Sequence, residues 1–102
     1  MNRAIQEQFD ARAKVLKALA HPTRLFIVEE LSKGERCVHD LTDEIGADMS
    51  TVSKHLSVLR NHDILADRRE GNSVYYRLLT PCVLDFFACT TRVLEKRLIR
   101  LD

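Results

Sequence analysis

The side chains able to bind soft ions or react with electrophiles are few: three cysteines, at 37, 82 and 89, and four histidines, of which His39 stands two positions after Cys37. Cys82 and Cys89 lie seven residues apart in the stretch Pro81-CVLDFFACTT-Arg92. On a helix they point the same way, two turns apart, with backbones separated by roughly 10.5 Å. That exceeds the ~7 Å limit between Cα positions for a disulfide, and it is awkward for one ion whose bonds to sulfur are about 2.3 Å long. The pair alone is therefore neither a disulfide nor a chelate, and cooperation needs a donor from another segment or from a second copy of the chain. The bland reading of Cys89, with Phe86 and Phe87 nearby, is a buried core thiol. Cys37 follows Gly34-Glu35-Arg36 and precedes a helix, a polar setting better suited to an accessible thiolate. An odd number of cysteines argues against a disulfide framework.

A second group of residues suits a different chemistry. In the helix expected over 50–62, Val52, Leu56 and Leu59 are spaced i, i+4 and i+7, so they share one narrow arc and must face the core. The opposite arc carries Ser50, Lys54 and Ser57, flanked by Thr51 and Ser53, with His55 on the margin. Short hydroxyls beside one long cation let a helix approach the floor of a major groove and reach phosphates or base edges. An isolated helix with such a face is more often simply solvated. Here its neighbours argue otherwise: a tight turn precedes it, and a hairpin tip bearing Arg68, Arg69, Gly71 and Asn72 follows, placed to reach an adjacent minor groove or backbone.

The elements that must hold these residues can be read from periodicity and punctuation. AIQEQFDARAKVLKALA (4–20) places Ile5, Phe9, Leu16 and Leu19 at helical spacing. Pro22 opens a second helix, whose apolar side holds Leu25, Ile27, Val28 and Leu31 and for which Gly34 suits the stop. VHDLTDEIGA is a short helix ending at Gly46, GADM is a tight turn, and Ser50 suits the N-cap of the next helix. Two short helices joined in this way form a helix-turn-helix. ILADRREGNSVYYRLL alternates on each side of EGN and reads as a two-stranded hairpin. A final helix starts near Thr80–Pro81. It carries two apolar stripes, Val83, Phe87, Leu94, Leu98 and Leu101 on one side and Cys82, Phe86, Cys89 and Val93 on another. A helix with two apolar faces needs two partners, and a second copy of itself is the simplest. The expected fold is mainly α with a small β-hairpin, a winged helix-turn-helix in the order α-α-α-α-β-β-α. It forms one domain over 1–102, with dimerisation helices at 4–20 and 80–100, the helix-turn-helix at 38–62 and the wing at 64–79.

Net charge is only +1, but it is segregated. Residues 1–24 carry five basic against two acidic groups, 51–77 five against three, and 29–48 two against seven. Affinity for double-stranded DNA is expected to be moderate and salt-sensitive.

Together, HPTRLFIVEEL, CVHDLTDEIGADMSTVSKHLSVLRNHDIL and RREGNSVYYRL resemble the ArsR/SmtB family of bacterial repressors over roughly residues 15–80. The resemblance implies a homodimer joined through its first and last helices. It further implies operator DNA bound in the inducer-free state and released when a metal, metalloid or other small inducer binds. Members usually have Gln where this chain has Met49, and Met cannot hydrogen-bond an adenine edge. Cys37-Val38-His39 falls where the family often has a Cys-Val-Cys-Asp-Leu motif, so that His39 replaces the second cysteine and Thr42 occupies a position that is a third cysteine in some members. Thiolates alone favour a thiophilic inducer such as As(III), whereas Cys with His also admits Cd or Zn. The family's other common site, on the last helix, is not reproduced, because Val93 and Lys96 stand where ligands are needed. The expected inducer site therefore draws on Cys37 with Cys82 or Cys89, across the dimer or within one chain, and on His39 as a further ligand. No constitutive cofactor is expected.

Two alternatives keep the same fold: a repressor whose thiols respond to redox or persulfide chemistry, and one responding to a small organic ligand. An enzyme is disfavoured, because Cys37 and His39 face apart on a helix and no third orienting residue or phosphate-binding glycine loop accompanies them. A pure protein-interaction module would not need the hydroxyl-and-lysine face. The chain lacks an apolar run long enough to span a bilayer and is expected in the cytoplasm, with no membrane partner.

Overall fold

The computed structural model describes residues 1–101, with side chains through residue 97, so Leu98 and Leu101 of the expected stripe lie outside the described side chains. Helix α1 (Arg3–Leu19) starts at Asn2, whose Oδ1 accepts the Ile5 N–H at 2.9 Å. Helix α2 (Pro22–Leu31) uses Pro22 in its first turn, where an absent N–H costs nothing, and His21 as its cap, Nδ1 accepting the Thr23 N–H at 3.1 Å. It ends earlier than the expected glycine stop: Ser32 is the C-cap, and Gly34 belongs to the following loop.

Next comes a short strand that the sequence reading lacked, β1 (Arg36–Cys37), then α3 (Val38–Ile45) and α4 (Met49–Asn61). Gly46 terminates α3 in the left-handed region (φ 77°), donating its N–H to the Thr42 carbonyl at 2.9 Å, which makes the tight turn possible. The N-cap of α4 is Asp48 and not Ser50: the Asp48 carboxylate accepts the Thr51 N–H at 2.7 Å and the Ser50 hydroxyl at 2.8 Å. Strands β2 (Leu65–Glu70) and β3 (Ser73–Leu78) form the wing, and β1 adds to the outer edge of β3, giving an antiparallel sheet in the order β1-β3-β2. Helix α5 (Val83–Leu101) begins after a turn through Thr80–Cys82.

One core joins these elements. Ile27, Val28 and Leu31 from α2, Leu41 from α3, Val52, Leu56 and Leu59 from α4, and Ile64 and Leu65 leading into the wing are all buried. The winged helix-turn-helix expected from the sequence is therefore present, with a three-stranded rather than two-stranded sheet. The outer helices differ in kind. Helix α5 joins the core through Val83 and Phe87, yet Phe86 is 59% exposed, Leu94 57% and Val93 54%. Ile5, Phe9 and Leu16 of α1 are exposed as well. Leu16, Leu19, Leu25, Val83, Phe86 and Phe87 line an apolar groove of about 310 Å³ between α1, α2 and α5. The radius of gyration, 16.0 Å, exceeds the ~13 Å of a compact chain near this length. The extents, 47 × 44 × 22 Å, show a flattened rather than spherical chain.

Candidate nucleic-acid interface

Val52, Leu56 and Leu59 are fully buried at 0% exposure, which fixes the roll of α4. The opposite side of its first two turns then points outward. Ser50, Thr51 and Lys54 are exposed, and Ser53 and Ser57 are half-buried beside them. Met49, the first residue of the helix, is also exposed and offers an apolar surface without a hydrogen-bonding group. The Asp48 cap orders this end of the helix. Its carboxyl is held below its ordinary range, first by the Thr51 backbone N–H and then by the Thr51 and Ser50 hydroxyls and the charge of Lys54.

His55 occupies a different environment. Its Nδ1 accepts the Arg24 Nε–H at 3.1 Å, and its ring centroid lies 4.4 Å from that of His21. Arg24 also donates Nη1–H to the Ala18 carbonyl at 3.2 Å. Burial, then the neighbouring His21 and Arg24 charges, pushes the His55 pKa down. A neutral imidazole with an acceptor at Nδ1 carries its proton on Nε2, so His55 works as a link from α4 to α2 and adds no positive charge to the outward face.

The wing likewise separates residues that the sequence reading grouped. Arg68 is opposite Tyr75 in the ladder, and its guanidinium carbon lies 4.5 Å from the centre of that ring. Its Nη2 and Nε–H groups donate to both oxygens of Glu35 at 2.6–3.1 Å, and Nη1–H donates to Glu70 at 2.6 Å. The Arg68 hydrogen bond in turn holds the Glu35 carboxyl below its ordinary range. Arg68 therefore clamps the wing to the loop before β1, with its donors engaged by two carboxylates. Arg69, on the other face of the same strand, and Asn72, beside Gly71 at the tip, are exposed.

Cys37 is half-buried at the N-cap of α3, its side chain making no capping bond, and its backbone pairs with Tyr75 in the sheet. His39 is exposed on α3. Cys82 in the turn before α5 and Cys89 on α5 are both exposed, so in the single chain Cys89 is not a core thiol. Among the described residues, no three His, Cys, Asp or Glu side chains come together as a set of metal ligands.

Sequence reasoning did not find Asp48, Glu35 or the Arg24–His55 link. Asp48 and Ser50 are both good cap residues two positions apart, and Glu35 and Arg24 pair with residues 33 and 31 positions away.

Residues 21–66 match the sequence model of the family described as bacterial regulatory protein, arsR family. The HTH-type transcriptional repressor SmtB of Mycobacterium tuberculosis is 39% identical over 87 residues, covering 81% of this chain, and the chain spans 64% of that repressor's length. Among solved structures, NolR from Sinorhizobium fredii superimposes with a TM-score of 0.82 at 29% identity, covering 91% of this chain and 93% of NolR. The homodimeric winged helix-turn-helix DNA-binding domain Mb0332 of Mycobacterium bovis gives a TM-score of 0.77 at 33% identity, covering 96% and 91% respectively.

Proposed function

Because the chain belongs to the ArsR family of bacterial regulatory proteins, we propose that it is a transcriptional repressor that grips double-stranded operator DNA as a homodimer. The observation that carries this reading is the roll of α4: three fully buried aliphatic residues leave Ser50, Thr51 and Lys54 facing solvent at a well-capped helix start. Entering a major groove, that end brings hydroxyls and one ammonium group to phosphates and base edges, while Arg69 and Asn72 extend the contact through the wing. Dimerisation uses the uncovered apolar sides of α1 and α5, and twofold symmetry sets the two α4 helices about one DNA turn apart, roughly 34 Å. The test is a fluorescence anisotropy titration of the reduced protein on a fragment of its own promoter. Lys54→Ala weakens binding and lowers the salt dependence if the reading is right; equal affinity of wild type and variant would count against it.

Release of the operator is proposed to run through the thiols. A thiophilic ion, As(III) or alternatively Cd or Zn, held by Cys37 with Cys82 or Cys89 and with His39 as a further ligand, would tie the helix-turn-helix to the dimer helices. A spacing of the α4 helices that mismatches DNA would follow, and coupling of about 1–3 kcal/mol is enough for a substantial loss of occupancy. Three free thiols, two of them exposed, support this reading. The same thiols support a second, covalent reading by oxidation or persulfide formation, since two of them are exposed. Mass spectrometry after treatment with arsenite, cadmium or a persulfide donor separates added metal from a new covalent link. Under the ion reading Cys37→Ser abolishes the response in a DNA-release assay, and a full response in that variant would exclude that reading.

A further inference from the structure

Outside the α4 face, one cationic feature is left without an assigned use. Lys14 and Lys17 of α1, Arg24 of α2 and His62 beyond the end of α4 line a single open notch of about 390 Å³, floored by Ala18 and Val58. Among the described residues no carboxylate lines it, and none of the four cationic or imidazole side chains makes an ion pair. By contrast, Arg36, Arg60 and Arg68 are each matched with Glu or Asp.

The notch is also partly built in advance. Arg24 is half-buried, its Nη1–H on the Ala18 carbonyl at 3.2 Å and its Nε–H on His55 at 3.1 Å. Both partners are neutral acceptors, so they fix the guanidinium without cancelling its charge, and its remaining N–H groups are left for a ligand. A held guanidinium fork with two mobile ammonium groups and an imidazole is a donor set suited to phosphate oxygens, the fork giving direction and the lysines adding charge. Carboxylate ligands offer fewer oxygens and less charge to the same four donors.

We propose that this notch binds phosphate groups, supplied either by the DNA backbone next to the helix-turn-helix or by a free phosphorylated small molecule. The experiment uses the full chain and its Lys14→Gln/Lys17→Gln variant, in which two exposed side chains change and the folded state can be checked by circular dichroism. In the first arm, melting is followed with sodium pyrophosphate against sodium chloride at equal ionic strength. Pyrophosphate raises the wild-type midpoint above the chloride value by preferential binding to the folded state, and the variant loses that gain. A Lys33→Gln/Arg77→Gln protein, which removes the same charge elsewhere, keeps it. In the second arm, the slope of log Kd against log salt is measured on a promoter fragment, where each lost lysine–phosphate contact lowers the slope by about 1. The second arm rests on the DNA-binding reading and the first does not, so failure of that reading leaves the first arm decisive. A pyrophosphate effect alone assigns the notch to a free anion, a slope change alone assigns it to the DNA backbone, and both together show that the two sources share it. No difference between wild type and variant in either arm, or an equal loss in the Lys33→Gln/Arg77→Gln control, overturns the proposal.

Discussion

At the scale of single residues, the chemistry rests on what each side chain has already been given to do. His55 and Lys54 are neighbours on α4, yet one is bound to Arg24 and the other is exposed. Sequence spacing placed His55 on the margin of the outward face, and only its α2 partner decides its role. The link has a pH consequence. The folded-state pKa of His55 is depressed, so its neutral form contributes stability that is fully present above the ordinary imidazole value of about 6.5 and is lost as the pH falls through the lower folded value. Urea unfolding of the wild type is therefore expected to show a declining midpoint as the pH is lowered from about 7.5 to about 5. In His55→Gln the amide keeps an acceptor for Arg24 but does not titrate, and the decline is expected to be shallower. Parallel curves for the two proteins would show that this histidine does not carry the dependence. The depressed carboxyls of Asp48 and Glu35 act in a separate window, their stabilisation being lost only at more acidic pH, through values below the ordinary carboxylate range.

At the scale of elements, the orientation of α4 was legible because i, i+4 and i+7 aliphatics define an arc without reference to anything else, and Val52, Leu56 and Leu59 are buried as that arc requires. Removing one of these anchors should loosen the surface on the far side of the helix. Leu56→Ala is expected to destabilise the fold by about 2–5 kcal/mol, the usual range for emptying a fully buried leucine site, as measured by denaturant unfolding. A loss below about 1 kcal/mol would mean that the site collapses around the smaller side chain or that Leu56 is not a core residue. Other elements were less legible for equally physical reasons. Strand β1 is two residues long, too short to show alternation, and exists because β3 offers it an edge. The arginines of the wing look equivalent as charges in sequence. The fold then gives Arg68 to Glu35 and Glu70 and leaves Arg69 without an ion pair among the described residues.

At the scale of the whole molecule, the outstanding feature is an uncovered apolar surface on the outer helices. Two apolar stripes on one helix require two partners for α5, and the single chain supplies only one, through Val83 and Phe87. Phe86→Glu with Leu94→Glu places two charges on exposed positions of α5 that the single-chain core does not use. Sedimentation velocity is expected to find the double variant monomeric and folded, and its operator affinity should fall by at least tenfold because two half-sites are no longer engaged together. A variant that stays dimeric would move the interface away from this face. The central claim, that paired α4 helices grip one duplex, is tested most directly by hydroxyl-radical footprinting of the reduced protein on its own promoter. The account predicts two protected backbone patches related by twofold symmetry, with centres about 10 base pairs apart. A single patch, or uniform cleavage at protein concentrations that saturate the anisotropy signal, would contradict it.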